Sequence, residues 1–364
     1  MKAVARGAGL LVLSLACSRV AVAQWWSLEQ SGLDTNLRGV SAVMPRPAGD
    51  DVVVWASGSN GVILRSSDRG KKWQRLHVAG GSALDFRGIV GFDEKRAYVM
   101  SSGDGENSRI YKTTDGGETW TLQYSDKRKA FFLDALLCVS EKECYALADP
   151  IDGKFLLLST KDGEHWAPIP SERMPAALTG EGSFAASGTA LAVTGQGEMF
   201  FGTGGPAARV FHSEDLGKTW TVVETPIASG NPSSGIFSVE ARTGNKIVAV
   251  GGDYKDPGRP LKVAAYSLDA GATWHLAATA PRGYRSAVAS VDGVTVAAVG
   301  PNGADVSHDT GIHWEHTDSI SLNALSFANV RDGWAVGPKG TIARFINHNS
   351  YEADNRKRLD DSGR

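Results

Sequence analysis

The chain has 364 residues, 43 of them glycine, with 42% hydrophobic content and a formal charge of −2 at pH 7. The apolar fraction suffices for a large core, and the near-neutral balance without a basic stripe argues against a nucleic-acid partner. The length fits either two ordinary domains or one repeat architecture.

Residues 1–23 read as a secretion signal. Lys2 and Arg6 give a positive start, residues 7–16 form a short apolar run, and Ala21-Val22-Ala23 is a small-residue cleavage site before Gln24. The run is too short to span a bilayer, and no later segment is apolar enough, so no transmembrane segment is expected. Cys17, after Ser14-Leu15-Ala16, also resembles a lipoprotein site, which makes a lipid anchor the alternative to cleavage after Ala23. The expected location is exported, periplasmic or secreted, in a bacterium.

Next comes Trp25-Trp26-Ser27-Leu28, a strand with no partner nearby in sequence. From there a pattern recurs: Ser or Thr, any residue, Asp, any residue, Gly, two more, then Trp. It runs from Ser66 to Trp73 with Asp68, and from Thr113 to Trp120 with Asp115. The third copy, Ser159 to Trp166, has Lys161 in place of the Asp. Later copies end at Trp220, Trp274 and Trp314, with Asp215, Asp269 and Asp309. The tryptophans step by 47, 46, 54, 54 and 40 residues. The physical logic is a hairpin turn. The Asp accepts backbone N–H groups, the Gly adopts a conformation other residues resist, and the Trp packs between sheets.

Two strands precede each box, for example 37–43 with 52–56, 86–92 with 97–100, and 236–241 with 246–250. Four short strands per unit make a propeller blade. Six boxes close six blades, and a seventh starts at 322–328, 333–336 and 341–345 without a box. The unpaired strand at Trp25 completes it. The expected fold is all-β: a seven-bladed β-propeller over residues 24–345, closed by pairing the N-terminal strand with the last blade. Residues 346–364 are polar and mixed in charge, and read as a disordered tail.

Cys138 and Cys144 flank the turn Ser140-Glu141-Lys142-Glu143 and sit on adjoining strands, so a local disulfide is expected in an oxidising compartment. The spacing is neither CxxC nor accompanied by nearby histidines, so no metal is expected. Gly202-Thr203-Gly204-Gly205-Pro206-Ala207 imitates a dinucleotide fingerprint, but it leads into a strand rather than a helix. No cofactor is expected.

Antiparallel strand order puts the starts of first strands and the ends of second strands on one face, with the boxes on the other. Aligned first-strand starts place Arg38, Arg87, Asp134, Arg285 and Asn323 after a bulky residue, around the mouth of the axial channel. Converging guanidinium groups suit a carboxylate or an acidic partner surface. The alternative is that they pair with Asp134, Asp85 and each other along a wet channel. Second-strand ends add Asp149, Asp253 and Tyr254, and two elaborated stretches, 174–184 and 253–260, bring Glu181 and enlarge the fourth and fifth blades. Tyr284 lies beside Arg285.

The boxes and the Leu37-Arg38-Gly39-Val40 type of strand start resemble the bacterial-neuraminidase-repeat (Asp-box) propellers, nearest to the photosystem II stability/assembly-factor-like group, across about residues 25–345. That resemblance implies a non-catalytic propeller that binds a partner protein, with Arg38, Arg87 and Arg285 matching the arginines the group presents. Sialidases share the boxes and set three arginines, a Tyr and a Glu against a sugar carboxylate. Tyr254 or Tyr284 with Glu181 could imitate that set, but the Arg-Ile-Pro motif is absent, Arg109-Ile110-Tyr111 being the nearest approach. The expected function is therefore an exported protein-binding or assembly factor using an arginine-bearing axial face. A glycoside hydrolase is the alternative and an oxidoreductase a remote one.

Overall fold

The computed structural model describes residues 25–45, 51–243 and 245–346. The secretion signal, Cys17 and nearly all of the polar tail lie outside the described residues.

Seven antiparallel sheets form seven blades. Blade one runs from Leu37–Val43 to Gln74–Leu76, blade two from Phe86–Gly91 to Thr121–Ser125, and blade three from Leu133–Cys138 to Trp166–Pro168. Blade four runs from Leu191–Val193 to Thr221–Glu224, blade five from Asn231–Thr243 to His275–Leu276, and blade six from Ala287–Ser290 to Glu315–Asp318. Blade seven takes its three inner strands from Ala324–Asn329, Asp332–Val336 and Thr341–Phe345, and its outer strand from Trp26–Gln30. Trp26 pairs with Phe345 and Gln30 with Thr341, closing the ring with no open sheet edge between the chain's two ends. Among the described residues the helical content is one 3-10 turn, Gly105–Asn107.

Each sheet buries both faces against its neighbours, so the core is divided into seven clusters, one per blade junction. The junction of blades one and two, for instance, packs Val53, Trp55 and Ile63 against Phe86, Val99 and Tyr111. The junction of blades six and seven packs Ala297 and Val306 against Trp26, Leu322 and Phe345. Trp55 and Trp120 meet edge to face at 6.2 Å, which adds an aromatic pairing to the area buried.

The recurring hairpins share one hydrogen-bond scheme. Ser66 Oγ donates to Asp68 Oδ1 at 2.8 Å and accepts the Gly70 N–H at 2.9 Å, while Asp68 Oδ1 accepts the Lys72 N–H at 2.9 Å. Asp115, Asp215, Asp269 and Asp309 repeat it. The residue before the Gly is left-handed even where it is not glycine: φ is 60° at Arg69, 58° at Leu216, 59° at Ala270 and 63° at Thr310. The indoles of Trp220, Trp274 and Trp314 donate to the carbonyls of Gly217, Gly271 and Gly311. Trp73 packs at the junction of blades one and seven.

Blade three corrects one expectation. Its turn has not lost the carboxylate to Lys161. Thr160 takes the role of Ser66, donating to Asp162 Oδ1 at 3.2 Å and accepting the Gly163 N–H, and Asp162 accepts the N–H groups of Glu164 and His165 at 2.8 Å. The turn is one residue tighter, so the Asp stands one position later. Lys161 instead reaches Glu143 and donates to the Tyr145 hydroxyl at 2.7 Å. Cys138 and Cys144 are opposite one another in the same blade and form a disulfide.

Candidate functional site

β-Bulges turn three of the candidates, Arg38, Arg87 and Asp134, toward the axis. The ladder between first and second strands skips one residue between Leu37 and Gly39, between Phe86 and Gly88, between Leu133 and Ala135, and between Ile236 and Ser238. The skipped residues are Arg38, Arg87, Asp134 and Phe237. A bulged residue leaves the ladder and its side chain is redirected, which here means into the channel mouth. The mouth is a cavity of about 480 Å³ bordered by Arg38, Arg87, Asp134, Phe184, Phe237, Tyr254, Tyr284 and Asn323.

Blade four supplies what the other blades do not. Its first strand is only Leu191–Val193, because the preceding residues leave the blade and cross the axis. The Ala185 carbonyl accepts from Arg38 Nη2 of blade one at 3.3 Å and from Arg87 Nη1 of blade two at 3.1 Å. Ser187 Oγ donates to the Ser286 carbonyl of blade six at 2.8 Å, and Gly188 forms a bridge with Ala135 of blade three. A Cβ on Gly188 would lie 3.0 Å from the Gly88 Cα, and its φ is +73°, so the crossing needs glycine there. This strap separates the mouth from a second axial cavity of about 440 Å³, lined by first-strand residues of all seven blades.

The electrostatics of the mouth are uneven. Arg87 Nε donates to Asp85 Oδ2 at 2.7 Å, and Asp85 also accepts from Ser59. Arg38 has no carboxylate within salt-bridge distance among the described residues, and its Nε has no hydrogen-bond partner. Burial, and then the neighbouring Arg87 guanidinium, lower its pKa. Asp134 is 1% exposed, and among the described residues neither of its oxygens has a partner. Burial, with Asp149 adding to it and Arg87 opposing it, raises its pKa well above the usual carboxylate range. Asp149, whose Oδ1 accepts the Ser183 N–H at 3.0 Å, is pushed up to about 6 by burial.

Aromatic rings form the opposite wall. Phe184 and Phe237 stack at 3.9 Å, and Tyr284 meets Phe237 edge to face at 4.7 Å. Tyr254 lies 6.1 Å from Phe237 and is 46% exposed. Asn323 Nδ2 donates to Asn36 Oδ1 and the Leu37 carbonyl, both at 2.7 Å, tying blade seven to blade one.

Four expected site residues, Arg285, Glu181, Asp149 and Asp253, do not border the mouth. Arg285 does not reach the mouth. It is fully buried and grips Asp305, with Nε donating to Oδ2 at 2.6 Å. Its Nη1 donates to the Tyr284 carbonyl at 2.9 Å and Asn302 Oδ1 at 2.6 Å. Arg285 lies before the blade-six ladder, which begins at Ala287, so it is not a skipped ladder residue turned inward as Arg38 and Arg87 are. Glu181 is buried in an ion pair with Arg209 and accepts from Thr203 Oγ1 at 2.6 Å. It borders, with Asp149, an adjoining pocket of about 600 Å³. Asp253 accepts from Asn231 Nδ2 and the Lys255 N–H beside a third pocket of about 280 Å³.

Phe237, Phe184 and the Ala185 carbonyl were not singled out from the sequence. Phe237 follows Ile236 just as Arg38 follows Leu37, so aligning the fifth blade's first strand would have found it. The strap has no repeat counterpart, and no periodic signal marks it.

Comparison with known proteins agrees with the ring. A family model described as the DUF6242 beta propeller domain matches residues 23–302. The chain belongs to that family. The DUF6242 propeller is similar in fold to YCF48 bound to D1 peptide, with a TM-score of 0.63, 15% identity and coverage of 88% of this chain and 97% of that one. YCF48 from Cyanidioschyzon merolae gives 0.62, 14%, 88% and 99%. A streptogramin B lyase gives 0.55, 11%, 88% and 97%. A stretch of 74 residues is 34% identical to the vacuolar protein sorting/targeting protein 10 of Chaetomium globosum, spanning 20% of this chain and 4% of that much larger protein.

Proposed function

We propose that this DUF6242 propeller is an exported, non-catalytic protein that binds an extracytoplasmic protein partner, or another acidic ligand, through the arginine-bearing axial face. The observation that carries the reading is the convergence of Arg38 and Arg87, from neighbouring blades, on one carbonyl oxygen in an open cavity. Two guanidinium groups facing a single neutral oxygen are poorly matched, and a carboxylate would complement them better, by charge and by bidentate geometry. The shared fold with YCF48, described as bound to a D1 peptide, supports a protein or peptide as occupant.

Affinity capture with the intact protein tests this. The double variant Arg38→Glu, Arg87→Glu is expected to weaken every specific partner at least tenfold while the thermal midpoint stays within a few degrees of wild type. Undiminished capture would end the reading. N-terminal sequencing tests export: Gln24 is expected as the first residue, and an acylated Cys17 would mark an anchored form instead.

The glycosidase alternative needs a Tyr and a Glu beside the arginines. Tyr254 and Tyr284 border the cavity, but Glu181 is held by Arg209 outside it. Hydrolysis of any glycoside across an acidic and neutral panel would revive it.

A further inference from the structure

Arg38 and Asp134 present opposite unmet demands in one cavity. Arg38 Nε is a buried donor without an acceptor, and the two Asp134 oxygens are buried without a donor, among the described residues. Leaving such groups unpaired incurs their desolvation penalty without the compensating hydrogen bond, and most of all when they are charged. Arg87 lies between these demands: it is near enough to Arg38 to disfavour that charge and near enough to Asp134 to favour the ionised carboxylate. The third wall is apolar, formed by the Phe184–Phe237 stack with the ring of Tyr284 against it. One small ligand meets all three surfaces: an anion for the arginines, a cation within a few bonds of it for the acid, and an apolar side chain for the rings.

We propose that the axial cavity is a binding site for the α-ammonium carboxylate group of a free amino acid with an apolar side chain. Its carboxylate takes the place of the Ala185 carbonyl on Arg38 and Arg87, its ammonium pairs with Asp134, and its side chain lies along Phe184 and Phe237. The strap must shift outward to admit it. Gly188, with φ of 73°, ends the strap, and Gly180, with φ of 81°, and Gly182 precede it. The proposal rests on the arginine face being the binding face, and it replaces an undefined acidic occupant with a defined chemical group.

A proton balance follows. Burial, with Asp149 adding to it, shifts Asp134 toward its neutral form, and Arg87 opposes that shift. Tyr254, Tyr284, Arg38 and the Asp85–Arg87 pair are the other titratable groups at the mouth. Where Asp134 holds a proton, the arriving ammonium displaces it to the buffer and the resulting carboxylate pairs with the cation. In that case ligand and protein together lose one H+, and no other bond forms or breaks.

Isothermal titration of the intact protein at pH 7.5 tests this, using L-phenylalanine and L-leucine as probes in two buffers of different ionisation enthalpy. Saturable binding is expected, with any proton release carried by Asp134. N-acetyl-L-phenylalanine, which keeps the carboxylate but loses the cation, should bind at least tenfold more weakly, as should L-phenylalaninamide. Asp134→Asn should abolish the proton release and weaken binding at least tenfold without lowering the thermal midpoint. Equal binding of the N-acetyl compound would overturn the proposal and identify a peptide C-terminus as the source of the carboxylate. No binding of either amino acid would also overturn it. If the amino acids fail while Arg38→Glu, Arg87→Glu still abolishes partner capture, the amino-acid site is wrong and the binding face stands. If both fail, the face itself is wrong.

Discussion

Asp162 and Lys161 show how much a single carboxylate decides in these hairpins. Asp162 accepts two backbone N–H groups and the Thr160 hydroxyl, and its pKa is lowered chiefly by the His165 N–H and side chain. An Asp in a turn replaces water as the acceptor for its own backbone, much as a helix cap does. Asp162→Ala should therefore cost about 1 kcal/mol, read as a lower urea midpoint. Lys161→Asp restores the motif in sequence and should not stabilise the protein, because position 161 points to Glu143 and Tyr145 rather than into the turn. A gain from Lys161→Asp would mean that the longer turn is the native one. The tryptophans and aspartates of the other boxes were legible because their spacing repeats. Asp162 was misread because a one-residue contraction preserves the chemistry and breaks the register.

At the level of the element, the bulge decides which strand-start residue reaches the axis. Arg38, Arg87 and Asp134 occupy bulges in blades one to three and border the mouth, and the sequence alignment does not reveal the bulges. Arg285 aligned equally well, but it stands ahead of its strand, which begins at Ala287, and its guanidinium turns back to Asp305. Nothing in one sequence distinguishes a bulged start from a straight one, since the skipped residue may be of any type. Arg285 is thereby a positioning residue: through the Tyr284 carbonyl and Asn302 it holds the 253–260 loop, whose Pro257 carbonyl accepts from Asn302 Nδ2 at 2.9 Å. Arg285→Ala should destabilise the fold by roughly 3–5 kcal/mol, because Asp305 is left buried with only His316, at 3.5 Å, beside it. Arg87→Ala, in a half-exposed pair, should cost about 1 kcal/mol or less. Equal losses for the two in chemical denaturation would show that Arg285 is as solvated as Arg87.

For the whole molecule, the seven interblade clusters and the closing strand act together. The blade number was legible from six boxes plus one orphan strand, because a propeller without closure would leave that strand's apolar residues exposed. Trp26 is fully buried in the junction of blades six and seven and packs on Phe345 at 5.5 Å. Trp26→Ala should cost roughly 3–5 kcal/mol, the range for deleting a large buried aromatic. A loss below 1 kcal/mol in urea denaturation would show that closure does not depend on this strand.

The strap alters what kind of object the ring is. Seven blades joined only to their neighbours form a rim, and a rim can be sheared or made oval by small slips at each joint. Residues 185–188 run from blade four to blades one, two, three and six, in the manner of a spoke through a hub. The blades are consequently not interchangeable parts: a copy of any other blade inserted in the fourth position would restore the rim and lose the hub. The passage along the axle is likewise divided in two, so each mouth answers to the face on which it opens.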